Sequence, residues 1–138
     1  MKDNAFDNNQ FKYVLRLNSD QAHVLSRACE FYARMHIGQL NEIRWDLSIS
    51  RGNCNIDYDL VDYAINILRH QLFPDLVHPG ASLSIWDNNP TAEHAWNIYQ
   101  VIRYALAWQE HPEGGITVNF HDPMQLGKEP LPKCEVSK

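Results

Sequence analysis

Arginine, histidine, amide and aromatic side chains lie along two segments of this chain in a pattern suited to recognising a small anion. A phosphate is bound by arginine forks, whereas a flat base is bound by aromatic faces and amide hydrogen bonds. The sequence therefore predicts a nucleotide-like ligand bound by side chains of these types. The predicted ligand-binding residues are Arg34, His36, Gln39, Arg44, Trp96, Asn97, Gln100 and Arg103.

The distribution of basic residues supports this interpretation. All five lysines lie near the ends of the chain, and each of the seven basic residues between Tyr13 and Gly127 is an arginine. Arginine is suited to bidentate binding of external anions, but it is equally suited to ion pairs with the protein's own carboxylates. Both interpretations stay open at the level of sequence.

The sequence contains no recognisable group of catalytic residues. Motifs of phosphate-binding loops, dinucleotide-binding folds, serine hydrolases and zinc proteases are absent. The histidines and carboxylates do not form a convincing three-ligand set, so we predict neither a metal nor a cofactor. An alternative is a magnesium-dependent nucleotide hydrolase, because carboxylates recur at helical spacing, although the dense glutamate repeat of such enzymes is missing. The carboxylates concerned are Glu42, Asp46, Asp59 and Asp62. The interpretation leans against an enzyme.

Composition excludes several other classes of function. The 138 residues carry a formal charge of -5, which leaves no basic excess for binding a nucleic-acid polymer. No run of 18 apolar residues is present, so the sequence predicts no membrane span. The three cysteines are scattered, as is typical of reduced thiols. We expect a cytoplasmic protein.

Hydrophobic periodicity predicts an α+β fold. Apolar residues at helical spacing predict about four helices, the last of which is central. Alternating apolar residues predict short strands that pair in a small antiparallel sheet. The predicted helices are Ser19–Ile37, Gln39–Leu47, Leu60–Leu72 and Thr91–Gln109, and the predicted strands are Phe11–Leu17, Leu83–Trp86 and Gly115–Phe120. Residues 1–10 are predicted to be a flexible arm, 11–127 a single globular domain and 128–138 an extended tail.

Helix caps are predicted at three places. Asn18 and Gln21 have the spacing of a capping box. Asp57 or Asp59 is suited to cap the third helix, and Asn89 precedes Pro90 at the start of the fourth.

Three blocks of the sequence resemble a family of small phage and prophage proteins of unknown role. The blocks are LSRACEFYARMHIGQLNEI (Leu25–Ile43), IYQVIRYALAW (Ile98–Trp108) and PEGGITVNFHDP (Pro112–Pro123). The resemblance implies a phage product that acts in the host cytoplasm, and it transfers no catalytic residue. Some phage products of this kind sequester cyclic nucleotides or cyclic ADP-ribose without chemistry.

The hypothesis from sequence is therefore a non-enzymatic anti-defence protein that sequesters a small anionic signal derived from a nucleotide. Because an isolated pair of strands is weak in water, the sheet needs either the helices beneath it or a second subunit that completes it, and we expect a homo-oligomer. A further alternative, besides the hydrolase, is a protein that binds and inhibits a host enzyme.

Overall fold

The computed structural model describes residues 13–52, 55–85 and 89–137, and this part of the chain contains four α-helices. They are α1 (Ser19–His36), α2 (Glu42–Arg51), α3 (Tyr58–Leu72) and α4 (Pro90–Glu110), followed by a 3₁₀ turn at Val118–Phe120. The four helices were predicted from periodicity, to within a few residues at most ends. No helix in the described residues is both long and apolar enough to cross a membrane.

The predicted caps explain where the helices begin. The side chain of Asn18 accepts a hydrogen bond from the Gln21 N–H, and the Gln21 side chain accepts one from the Asn18 N–H. Asp57 caps α3, and Asn89 caps α4 by accepting from the Ala92 N–H. Each cap pairs backbone N–H groups that a first helical turn leaves without partners.

The core lies between α1 and α4, which run antiparallel. The Asn89 side chain donates to the carbonyl oxygen of His36 at one end of the pair, and His23 meets Glu110 at the other end. Alanines occupy buried positions in the half near Asn89, whereas larger aliphatic residues fill the other half. The buried residues of this pair include Ala33, Ala92, Ala95, Val101, Ile102, Leu106 and Ala107. Ala22, Leu25, Ile98 and Leu131 pack against Val101, Ile102 and Leu106.

The predicted sheet is wrong, because no β-strand occurs in the described part of the chain, and the fold is helical. Of the first predicted strand, Phe11–Leu17, residues 11 and 12 lie outside the described residues. Residues 13–17 form no regular structure, and the side chains of Tyr13 and Val14 are almost fully exposed. A strand without a partner loses its ladder hydrogen bonds, so alternation alone does not hold it extended.

The other two predicted strands are replaced by local contacts. In Gly115–Phe120 the chain forms the 3₁₀ turn, and the Phe120 ring packs edge-to-face on Trp108 at 5.4 Å between ring centroids. In Leu83–Trp86 the Leu83 N–H donates to the Ile37 carbonyl, and Trp86 lies outside the described residues. Each segment therefore binds to a helix, and neither pairs with the other.

The link between α1 and α2 depends on one glycine. Gly38 has a φ of 86°, in the left-handed region, and a methyl group at this position would lie 2.5 Å from Leu76 Cδ1. The backbone turns sharply here while the segment after α3 packs against it. Any residue other than glycine is thus unfavourable at this position, because its side chain would strain the left-handed backbone and would collide with Leu76.

We expect Gly38→Ala to lower the free energy of unfolding by about 2–3 kcal/mol, combining the left-handed backbone cost with overpacking. Gly80→Ala is the control, because nothing lies within 4 Å of a methyl group at Gly80. Urea unfolding followed by circular dichroism measures the free energy of unfolding of both variants. Equal stability of the two variants would contradict the packing of Leu76 on Gly38.

Candidate functional site

Arg27 on α1 is held by three carboxylates of its own chain. Its guanidinium lies 3.0 Å from Glu30, 3.3 Å from Glu42 and 2.7 Å from Asp46. Burial opposes the charge, but the hydrogen bonds to Asp46 and Glu30 outweigh burial, so the pKa of Arg27 is raised. Arg27 therefore joins α1 to α2 and is already neutralised by the fold.

Four of the predicted site residues lie along one row between α1 and α4. Arg34 donates to Glu30 at 3.0 Å and to the side-chain oxygen of Gln39 at 2.6 Å. Its guanidinium carbon lies 5.6 Å from the ring centroid of Trp96. Along α4, Trp96 packs edge-to-face on Tyr99 at 5.0 Å, and Arg103 lies over Tyr99 at 5.2 Å. Cationic and aromatic side chains thus form one continuous set of contacts.

Two other predicted residues lie away from this row. His36 packs edge-to-face on Tyr32, with ring centroids 4.5 Å apart. Arg44 lies between the rings of Trp45 and Tyr58, at 4.8 and 4.6 Å, and its Nε is 3.4 Å from Asp62. Arg44 therefore joins α2 to α3.

The amides of Asn97 and Gln100 hold the chain after α4 in place. Asn97 is 1% exposed and donates to the carbonyl oxygen of Glu129 at 3.2 Å. Gln100 forms two hydrogen bonds of 3.0 Å with the backbone of Met124, donating to its carbonyl and accepting from its N–H. These predicted ligand residues thus have backbone partners within the chain.

In the described part of the chain, Arg103 has neither a carboxylate nor a carbonyl partner. Arg27, Arg34, Arg44 and Arg69 differ from it, because each of them has one. Its Nε is buried and has no hydrogen-bond partner. The ring of Tyr99, one helical turn earlier, packs against the guanidinium of Arg103. A buried N–H without an acceptor costs free energy, which an oxygen of a bound ligand would recover.

Arg103 lines a cleft of about 270 Å³ between α1 and α4. In this cleft Arg27 binds Glu30, and His23 lies 2.5 Å from Glu110. The polar lining residues are His23, Ser26, Arg27, Glu30, Tyr99, Arg103, Glu110 and Asn119. We call this space the Arg103 cleft.

Most of the cleft was not predicted from sequence. Tyr99 was not among the predicted ligand-binding residues, although its spacing of four residues from Arg103 is the signal that places the two side chains together. His23 and Ser26 come from α1 and reach the cleft through the antiparallel pairing of α1 with α4. No local pattern reveals that pairing.

The carboxylates of the hydrolase alternative do not converge. Glu42 and Asp46 meet at Arg27, whereas Asp62 faces Arg44. In the part of the chain that the structure describes, no group of three or more histidine, cysteine or acidic residues is arranged to hold a metal ion. Glu42, Asp46 and Asp62 therefore have arginine partners and are not free to share a metal ion.

A second, larger cleft lies between α4 and the tail. Its volume is about 590 Å³, and its walls are mainly apolar. Leu131 of the tail also packs on the core, and burial raises the pKa of the Cys134 thiol beside it. The residues at 128–137 therefore cover part of α4.

Comparisons of the chain with protein families, with curated proteins and with solved structures found no match. The resemblance to small phage proteins stays a prediction.

Replacing Arg27 with methionine is expected to lower the free energy of unfolding by about 1 kcal/mol, because the side chain is partly exposed and solvent screens its ion pairs. Because the pKa of Arg27 is raised, its guanidinium is charged and this contribution is present at neutral pH, and the contribution is lost as the pH rises into strong alkali. Thermal or urea unfolding at low and high salt measures the stability lost in Arg27→Met. Arg16→Met is the control. A loss that does not shrink at high salt would contradict an electrostatic role.

Gln100→Ala is expected to lower the free energy of unfolding by about 1–3 kcal/mol, because it leaves the N–H and carbonyl of Met124 without partners. Gln125→Ala is the matched control, since Gln125 is exposed and its hydrogen bonds are 3.3 and 3.4 Å long. If the two variants are equally stable, Gln100 does not anchor the segment after α4.

Proposed function

We propose that this protein is a non-enzymatic binding protein of phage or prophage origin that acts in the host cytoplasm. In this proposal it sequesters a small anionic signal derived from a nucleotide, of the cyclic nucleotide or cyclic ADP-ribose type. The ligand occupies the Arg103 cleft. The observation that carries the proposal is a single guanidinium, that of Arg103, which the fold positions but does not neutralise.

The contacts of Arg103 support binding of an external anion. Its position over Tyr99 limits the directions in which the guanidinium can point, so less conformational entropy is lost on binding. Its buried Nε requires an acceptor. A phosphate oxygen is a strong acceptor for a guanidinium, because the hydrogen bond is assisted by charge.

The neighbours of Arg103 support selectivity for a ligand of limited charge. Arg27 is compensated by its own carboxylates, and Glu30 and Glu110 add negative charge to the same cleft. A ligand with a triphosphate would be repelled by these carboxylates more strongly than a ligand with one or two singly charged phosphate groups, such as a cyclic nucleotide or cyclic ADP-ribose. The hydroxyl of Ser26 and the amide of Asn119 are available for the polar groups of a sugar or base.

A second candidate function is inhibition of a host enzyme by direct binding. Exposed apolar side chains on α2 favour it, because Trp45, Leu47 and Ile49 are each more than half exposed. Large exposed apolar groups in one short helix are typical of protein contacts. Trp45→Ser would abolish capture of such an enzyme, whereas Arg103→Ala would leave it intact.

Arg103→Ala is expected to abolish ligand capture and to change the melting temperature by only a few degrees. The reason is that Arg103 stabilises the fold through one aromatic contact, worth about 0.5–1 kcal/mol. Thermal shift and isothermal titration calorimetry with cyclic mononucleotides, cyclic dinucleotides and cyclic ADP-ribose isomers measure binding. Heating the complex is expected to release the ligand intact, as seen by chromatography.

Arg16→Ala is the control, because Arg16 is exposed and lies outside the cleft. The proposal is contradicted if no member of the panel binds the unaltered protein, or if the released ligand is cleaved. A collapse in stability of Arg103→Ala would instead assign Arg103 to the core.

A further inference from the structure

One face of α3 carries apolar side chains that the chain leaves in solvent. Leu60, Tyr63, Ala64, Ile67 and Leu68 follow the three- and four-residue spacing of a single helical stripe, and all five are exposed. We call them the α3 stripe. Leu60 and Tyr63 are 62% and 66% exposed. A stripe with this spacing is what a helix buries when it packs on another helix.

No other helix among the described residues covers the α3 stripe. Among the described elements α3 packs only on α2, and the side that it buries is centred on Ile65 and Arg69. Arg69 donates to the carbonyl oxygens of His78 and Ala81, so it fastens this side to the segment after α3. The α3 stripe therefore lies on a different side of a helix that the fold holds in a fixed orientation.

The area and shape of the α3 stripe suit a helix–helix interface. The large apolar residues of the stripe and the neighbouring Leu72 are between 45% and 66% exposed, so they present a continuous apolar surface along the helix. Ala64 lies at the middle of the stripe, and a small residue there allows two helices to approach closely while larger residues on either side interlock.

The polar side chains beside the α3 stripe are self-complementary, because one is a carboxylate and the other is an imidazole that can donate an N–H to it. Asp59 and His70 lie on the same flank of the stripe, near opposite ends of α3, and both are exposed. They are equally distant from the middle of the helix at residues 64 and 65. When two identical helices pack antiparallel about a two-fold axis, Asp59 of each copy faces His70 of the other, and the helix dipoles are also opposed.

We propose that the α3 stripe is the surface on which two copies of this chain associate, with the α3 helices antiparallel and the two-fold axis near Ala64. A second copy fits this surface because the same flank of α3 carries both Asp59 and His70. Each copy therefore supplies one partner to each of the two Asp59–His70 contacts. The α3 stripe is on a different helix from the Arg103 cleft, so the dimer does not depend on ligand binding. Failure of either proposal leaves the other standing.

Sedimentation equilibrium of the full chain tests the proposal. The unaltered protein is expected to be a dimer, and Ile67→Glu is expected to raise the dissociation constant by at least roughly a hundredfold, because each dimer would bury two carboxylates without partners. Val24→Glu is the matched control, since Val24 is a branched apolar residue that is exposed on α1. Its dissociation constant is expected to stay within about twofold of that of the unaltered protein, as for a substitution outside an interface.

A charge exchange tests the antiparallel arrangement without altering the stripe. Asp59→Lys alone is expected to weaken the dimer, and the double variant Asp59→Lys/His70→Asp is expected to restore it. A monomer at all concentrations overturns the proposal. So does a dimer that withstands Ile67→Glu, or a double variant that is weaker than Asp59→Lys alone.

Discussion

The antiparallel packing of α1 on α4 is the contact on which the rest of the structure depends. It buries the alanines near Asn89 and the aliphatic residues near Leu106, and burial of such side chains is the main source of stability in a chain of this size. The same pairing brings Arg34 to Trp96 and places Arg103 opposite residues of α1. The segment after α4 then covers the remaining apolar surface of that helix. The cleft and the tail are thus consequences of one helix–helix contact.

Arginine has three different uses in this fold. Arg27, Arg34 and Arg44 pair with carboxylates and connect α1, α2 and α3, and Arg69 fastens the end of α3 to backbone carbonyls. These four contacts explain much of the absence of lysine from the middle of the chain, since a planar fork with several donors joins two elements better than a single ammonium does. Arg103 differs because it lines an open cleft and has neither a carboxylate nor a carbonyl partner among the described residues. The functional proposal depends on that difference.

The helices were predictable because the signals that specify them are local. Caps at Asn18 and Asn89 and an apolar residue at every third or fourth position are present within each segment. The alternation in Gly115–Phe120 is equally local, but a strand also needs a partner that local spacing does not supply, and Phe120 finds Trp108 instead. The same limit applies to the candidate site. Gln100 was correctly placed on a helix, but its partner, the backbone of Met124, lies 24 residues away.

The most direct measurement of the central claim is an NMR titration of the arginine side chains, in which each Nε–H group gives its own signal. With a cyclic nucleotide or cyclic ADP-ribose isomer that binds, the account predicts that the Nε–H signal of Arg103 shifts and becomes protected from exchange with water. The signals of Arg44 and Arg69 are expected to stay unchanged, because their partners are within the chain. A ligand that binds tightly while the Arg103 signal stays in place would contradict the account.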